Sequence, residues 1–144
     1  MTIKEITLLS EEEYVKYRSI ISNIDCHWWL KTPCLEFDDY VRVVRFSGNP
    51  SSRLCSDGSG GVRPALKVIV DSSDPAFWHK SEKLIGSKIE LNKYTWTVLN
   101  VECDALYILC DSIIAEHYFD PEVNIWEESK LKQWLENWVK STKR

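Results

Sequence analysis

Two phrases, Trp28-Trp29-Leu30-Lys31-Thr32-Pro33 and Gly61-Val62-Arg63-Pro64-Ala65-Leu66, decide how this chain is read. Neither follows from ordinary composition. Together they specify architecture rather than chemistry, because neither holds a set of side chains that could make or break a bond. The second opens a run from Val62 to Val70 that reads as a buried strand. Pro64 has no amide hydrogen to give, so this strand must be an edge or carry an irregular ladder at that point. The run closes at Asp71-Ser72-Ser73-Asp74-Pro75.

Working outward, Tyr40 to Phe46 alternates apolar and basic residues and suits a strand with one solvated face, placing Arg42 on one side and Arg45 on the other. Ser47 to Gly60, rich in Gly, Ser, Asn and Asp, is expected to be a loop. Lys4 to Leu9 reads as a strand, and Ser10 with Glu13 three residues later is a capping box. The helix it opens turns Tyr14, Tyr17 and Ile21 inward and ends near Asn23. Ala76 to Leu84 follows no single pattern, a helical turn carrying Phe77 and Trp78 being slightly favoured. From Gly86 the pattern is a meander: Lys88 to Leu91, a turn at Asn92-Lys93, Tyr94 to Leu99 alternating as a half-buried strand, a turn at Asn100 to Asp104, then Ala105 to Cys110. Beyond a break at Asp120-Pro121, Asn124 with Glu127 gives a second cap signal. Leu131, Trp134, Leu135 and Trp138 form the stripe of a C-terminal helix whose Lys140, Lys143 and Arg144 suit its dipole.

The chain has 144 residues, which fits a single domain over 1–144 that buries roughly two-thirds of its unfolded surface. Seven Trp, six Tyr and four Phe predict an aromatic core. Five Cys at irregular spacing, with no Cys-x-x-Cys pair and no adjacent His, read as reduced buried thiols. No stretch approaches the roughly 18 apolar residues of a membrane helix, and the N-terminus lacks a basic region followed by an apolar run, so the expected location is the cytoplasm. Between Tyr40 and Lys67 five basic residues face one acid, a net +4; the whole chain is −4, so the remainder sums to −8. One basic segment sits on an acidic body.

Leu8-Leu9-Ser10-Glu11-Glu12-Glu13-Tyr14 and the two opening phrases resemble the latter half of a bacterial and phage family of unknown function. Its members carry a Trp-Leu-Arg-Ser-Pro phrase followed by Gly-Val-Arg-Pro-Ala-Leu. Here the second phrase is matched letter for letter, whereas Lys31 and Thr32 replace Arg and Ser in the first. Tyr94 to Leu99 and Trp126 to Leu135 resemble the same family's opening half, yet they come last, as in a circularly permuted member or a piece of a tandem array. That family is similar to C-type-lectin-like domains. The resemblance therefore implies a compact α+β, C-type-lectin-like domain with a mixed, mostly antiparallel sheet and two amphipathic helices.

Catalysis is hard to build from these residues. His27, His79 and His117 lack metal-ligand or triad spacing. Gly58-Ser59-Gly60-Gly61 is followed by a strand and no Lys, unlike a phosphate-cradling loop. No Glu-Pro-Asn phrase marks a calcium-dependent lectin. Cys34, near Lys31, could have a depressed pKa. No catalytic residue, metal or cofactor is assigned.

Binding is the remaining class. Arg42, Arg45 and Arg53 have no obvious helical partner acids and are the preferred surface contacts, with Tyr40 and Asp57 beside them. Trp28 could offer an aromatic platform, although core packing is favoured for Trp28, Trp29 and Leu30. Arg63 could reach a phosphate or carboxylate through its rigid fork. It is read first as an internal brace on loop carbonyls or on a buried acid such as Asp25 or Asp111. The expected function is a non-enzymatic binding module whose Tyr40 to Gly61 segment engages a protein partner, such as a host protein targeted by a phage-encoded inhibitor or adaptor. The alternative is capture of a small anion, a nucleotide or a sulfated sugar. Neither nucleic acid nor membrane is an expected partner.

Overall fold

The computed structural model describes residues 2–70, 81–102 and 104–142. The expected close at 71–75 lies outside them, as do Phe77, Trp78, Lys143 and Arg144; within them, Ser81–Leu84 forms a 3-10 turn. The class is α+β, with two helices and ten strands among the described residues. The strands are β1 (Thr2–Thr7), β2 (Trp28–Pro33), β3 (Tyr40–Val44), β4 (Pro50–Leu54), β5 (Gly61–Val62), β6 (Ala65–Ile69), β7 (Lys88–Leu91), β8 (Tyr94–Glu102), β9 (Ala105–Cys110) and β10 (Ala115–Glu116). The helices are α1 (Glu11–Tyr17) and α2 (Lys130–Thr142).

Two five-stranded sheets result, ordered β1-β6-β9-β8-β7 and β10-β5-β2-β3-β4. All pairings are antiparallel except β2 with β5, where Trp28 lies opposite Gly61. The two opening phrases thus meet side by side. The run expected as one strand from Val62 is split at Arg63-Pro64, so that β5 belongs to one sheet and β6 to the other. Pro64 is the reason, since it cannot donate to a ladder; its carbonyl instead accepts the Cys110 amide at 2.9 Å.

β2 is buried on both faces. Successive side chains of a strand point to opposite sides, and Trp28 and Trp29 accordingly enter different apolar clusters. Trp28 joins Leu9, Tyr14, Leu30, Val44 and Leu109, under α1. Trp29 joins Leu8, Val41, Val43, Phe119, Leu131 and Leu135, under α2. Leu8 and Leu9 divide in the same way, so β1 runs into a connection that is also covered on both sides. A third cluster, with Leu66, Val68, Trp96, Ile108 and Val139, lies between the first sheet and α2.

The Ser10–Glu13 capping box is present in both directions, with Glu13 N donating to Ser10 Oγ at 3.1 Å and Ser10 N to Glu13 Oε1 at 2.9 Å. Thr32 of the first phrase also accepts the Glu11 amide, tying α1 to β2. The helix is shorter than expected: α-helix ends at Tyr17 and a 3-10 turn covers Arg18–Ile20.

Three further expectations are corrected. Ser47 to Gly60 is not all loop, because Pro50–Leu54 pairs with β3 from Tyr40↔Leu54 to Val44↔Pro50. β8 is buried at four consecutive residues, Trp96 to Leu99, and continues through the turn expected at Asn100. Asn124 does not cap α2: a 3-10 turn at Trp126–Glu128 intervenes, Ser129 Oγ accepts the Lys132 amide, and Asp120 accepts the Lys130 amide.

Arg63 closes the interior. Its side chain is 1 % exposed, with Cζ 4.9 Å from the Trp28 ring centroid. Nε donates to Cys110 O at 2.6 Å, and Nη1 and Nη2 reach Ser22 O and Oγ at 3.1 and 3.4 Å. Burial pulls its pKa down to about 10, against the pull of Asp111, so the group is still charged at neutral pH. Arg63→Ala should therefore destabilise the fold by about 3 kcal/mol, from the lost packing and an orphaned carbonyl. The urea midpoint at pH 7 measures this. Gly60→Ala should cost about 2 kcal/mol, since a Cβ there would collide with the Trp29 indole.

Candidate functional site

The expected recognition segment, Tyr40 to Gly61, forms the β3–β4 hairpin and the connection to β5. Its far turn is built on Arg45 N to Asn49 O (2.9 Å) and Gly48 N to Arg45 O (2.7 Å). Gly48 sits at φ +86°, a conformation that favours glycine. That turn is fastened to α1: the buried Tyr14 hydroxyl donates to Gly48 O at 2.7 Å, and Arg18 Nη2 to Asn49 Oδ1 at 3.0 Å.

Most of the basic side chains are already engaged. Arg42 grips Glu11 with Nε at 2.8 Å and Nη2 at 3.0 Å, while Nη1 donates to Ser52 at 2.7 Å. This bidentate pair, led by its hydrogen bond, raises the guanidinium pKa. Arg53 pairs with Asp57 at 2.7 Å, and Lys67 faces Glu102 at 3.9 Å. The expectation that these arginines lack partner acids is corrected for Arg42 and Arg53; no ion pair among the described residues involves Arg45. Glu11 is 31 residues away from Arg42 and invisible to local spacing.

Nor do the arginines converge. Arg42 stands opposite Ser52 and Arg53 opposite Val41, so the two point to opposite faces of the hairpin. Arg45 lies in the far turn, with Cζ 5.9 Å from the Phe46 ring. Trp28 and Arg63 are interior and contact each other rather than a surface. Arg63 braces carbonyls, those of Cys110 and Ser22, as its sequence context implies. Tyr40 and Asp57 are on the hairpin's near end.

That near end holds the one Ser–His–Asp juxtaposition found among the described residues' hydrogen bonds. Ser59 Oγ donates to Asp57 Oδ1 at 2.6 Å and lies 3.4 Å from His27 Nε2. The order is inverted relative to a nucleophilic triad, in which His must stand between Ser and Asp. The Ser59 hydroxyl, then its amide and Arg53, hold the Asp57 pKa down to about 2 despite some burial. A carboxylate that acidic is a poor base. Burial, then Arg53, lowers the His27 pKa. Among the described residues no three His, Cys, Asp or Glu side chains are grouped to hold a metal ion. No described helix is long and apolar enough to cross a membrane.

The loop before the hairpin, Cys34 to Asp39, escaped the sequence reading. Leu35 is 99 % exposed and Phe37 55 %, with Leu54 and Ile125 also exposed nearby. Despite that exposure the backbone is held firmly. Cys34 N donates to Tyr40 O at 3.0 Å and Cys55 N to Asp39 O at 2.8 Å. Asn124, 8 % exposed, donates to both Phe37 O and Tyr40 O at 3.3 and 3.0 Å. The Phe37 and Tyr40 rings are 5.4 Å apart. The Cys34 thiol pKa is lowered, as expected, but by the Glu36 amide, the Ser52 hydroxyl and the Phe37 amide rather than by Lys31.

Both opening phrases, α1 and this hairpin fall within one stretch. Residues 3–70 match DUF6273, a domain of unknown function. The DUF6273 span is just under half of the chain and runs from β1 through β6; β7 to α2, including Tyr94 to Leu99 and Trp126 to Leu135, lie outside it. No curated protein and no solved structure matches the chain.

The Asp57 pKa gives a test of the near end. Because it lies below the ordinary 3.8, the loop contact is favoured above about pH 4 and is lost as pH falls from there through about 2. Ser59→Ala should move the Asp57 pKa up toward 3.8, as read by carbon-13 NMR titration of the carboxyl group.

Proposed function

We propose that this chain is a non-enzymatic binding module for a protein partner in the bacterial cytoplasm, on a C-type-lectin-like scaffold whose sequence order is permuted. The observation that carries the reading is the clamped yet apolar surface at the β3–β4 hairpin and the Cys34 to Asp39 loop. Isolated exposed apolar residues are ordinary. Several on one firmly held loop favour a surface shaped in advance for a partner, since ordering it at the moment of binding would cost affinity. The hairpin's Arg42 and Arg53 are tied up in internal pairs, which argues for contact rather than catalysis.

Interleaving of early and late strands in one sheet, with β6 between β1 and β9, supports the permuted scaffold. The resemblance to a family also found in phages favours an inhibitor or adaptor of a host protein, an argument by analogy. Small-anion capture is less well supported: Arg42 and Arg53 are committed to Glu11 and Asp57, on opposite faces.

Photo-crosslinking tests the module. With p-benzoylphenylalanine placed at Leu35, Phe46 or Leu54 in the full chain expressed in bacteria, a discrete crosslinked protein is expected at one or more of these sites and none at Glu136 on α2. Equal labelling at Glu136, or no product at any of the three sites, would overturn the reading.

A further inference from the structure

Resting on that reading, we propose that the Cys34 to Asp39 loop receives a cationic partner segment, in which Lys or Arg side chains flank an aliphatic or aromatic anchor. The sign is opposite to that implied by the charge of the hairpin sequence. Leu35 stands between two surface depressions of about 600 and 380 Å³, both of which it lines together with Pro33, Cys34 and Glu36. Asn124 floors the larger one, and Arg42 borders the smaller. An anchor side chain laid beside Leu35 and Phe37 would fill such a depression and remove both from water.

The charge around the anchor site is negative. Glu36, Asp38 and Asp39 are exposed, and no ion pair among the described residues takes them up. Asp38 and Asp39, with Asp120, are close enough to raise the pKa of the buried Cys55 thiol, after burial itself. Glu36 acts on Cys34 and on Arg42. Arg42 is the cation bordering the smaller depression, and Glu11 holds it on two oxygens. The field at the loop is therefore dominated by carboxylates that no ion pair among the described residues takes up. It attracts a basic segment and repels an acidic peptide or an anionic lipid surface.

The test uses the isotope-labelled full chain, titrated by NMR with a lysine–leucine repeat peptide and with its glutamate–leucine counterpart at several salt concentrations. A dilution series without peptide runs in parallel. The lysine peptide is expected to shift residues of the loop together with Leu54 and Asn124, with affinity falling as salt rises. The triple variant Glu36→Gln, Asp38→Asn, Asp39→Asn should weaken binding about tenfold, and Leu35→Ser with Phe37→Ser by a similar factor. Thermal midpoints should match the parent, because these side chains are exposed. The proposal is overturned by no response, by a response centred elsewhere, by equal binding of the glutamate peptide, by variants that bind as the parent does, or by the same residues responding to dilution alone, which would mark a second copy as the occupant. If the peptide fails while the hairpin crosslink persists, the partner's charge is wrong and the module stands. Peptide binding without any crosslinked partner would remove the module reading.

Discussion

The burial of β2 on both faces is the constraint from which the rest of the molecule follows. Two adjacent tryptophans cannot share one side of a strand, so each must be given its own cover, α1 for Trp28 and α2 for Trp29. Covering Trp28 leaves a gap that is filled by a guanidinium, and a buried charge is tolerated only when its donors are met. Arg63 meets them with oxygens from the end of β9 and from the segment after α1. One side chain thereby joins β5, β9 and the α1 connection. The tight fit continues at Gly60, where any side chain would displace the Trp29 indole from its bond to His117 O.

What could be read from the sequence was what neighbouring residues decide between themselves. The capping box at Ser10 and Glu13 is a matter of four residues, and it formed. The turn at Asn92-Lys93, where both residues adopt positive φ, is local and appeared between β7 and β8 as expected. Strand β4 was missed because Pro50-Ser51-Ser52-Arg53-Leu54 carries no alternation; it is an edge strand whose pairing is dictated by β3. Asn124 looked like a cap since Glu127 follows at the right interval. Its amide instead serves two carbonyls more than eighty residues earlier.

The same distinction governs the surface. A basic segment on an acidic chain invited an anionic partner, but charge counted along the sequence ignores who stands across the fold. Glu11 arrives from α1 to cancel Arg42, and Asp57 turns back on Arg53. The carboxylates of the Cys34 to Asp39 loop have no such visitors among the described residues, so the exposed field there is set by a stretch that no motif marked. Leu35 and Phe37 were equally silent in sequence, where an apolar residue is normally assigned to the interior.

The split of one continuous segment between two sheets at Arg63-Pro64 has a mechanical outcome. Strand β5 is the bridge between β2 and β10, and β6 sits between β1 and β9, with two residues separating them. Peeling either sheet apart drags on the other through this short covalent hinge, and Arg63 resists the pull at the pivot. Subglobal opening that spares one sheet is thus suppressed, and slow amide exchange in β6 and in β2 should report a single shared event.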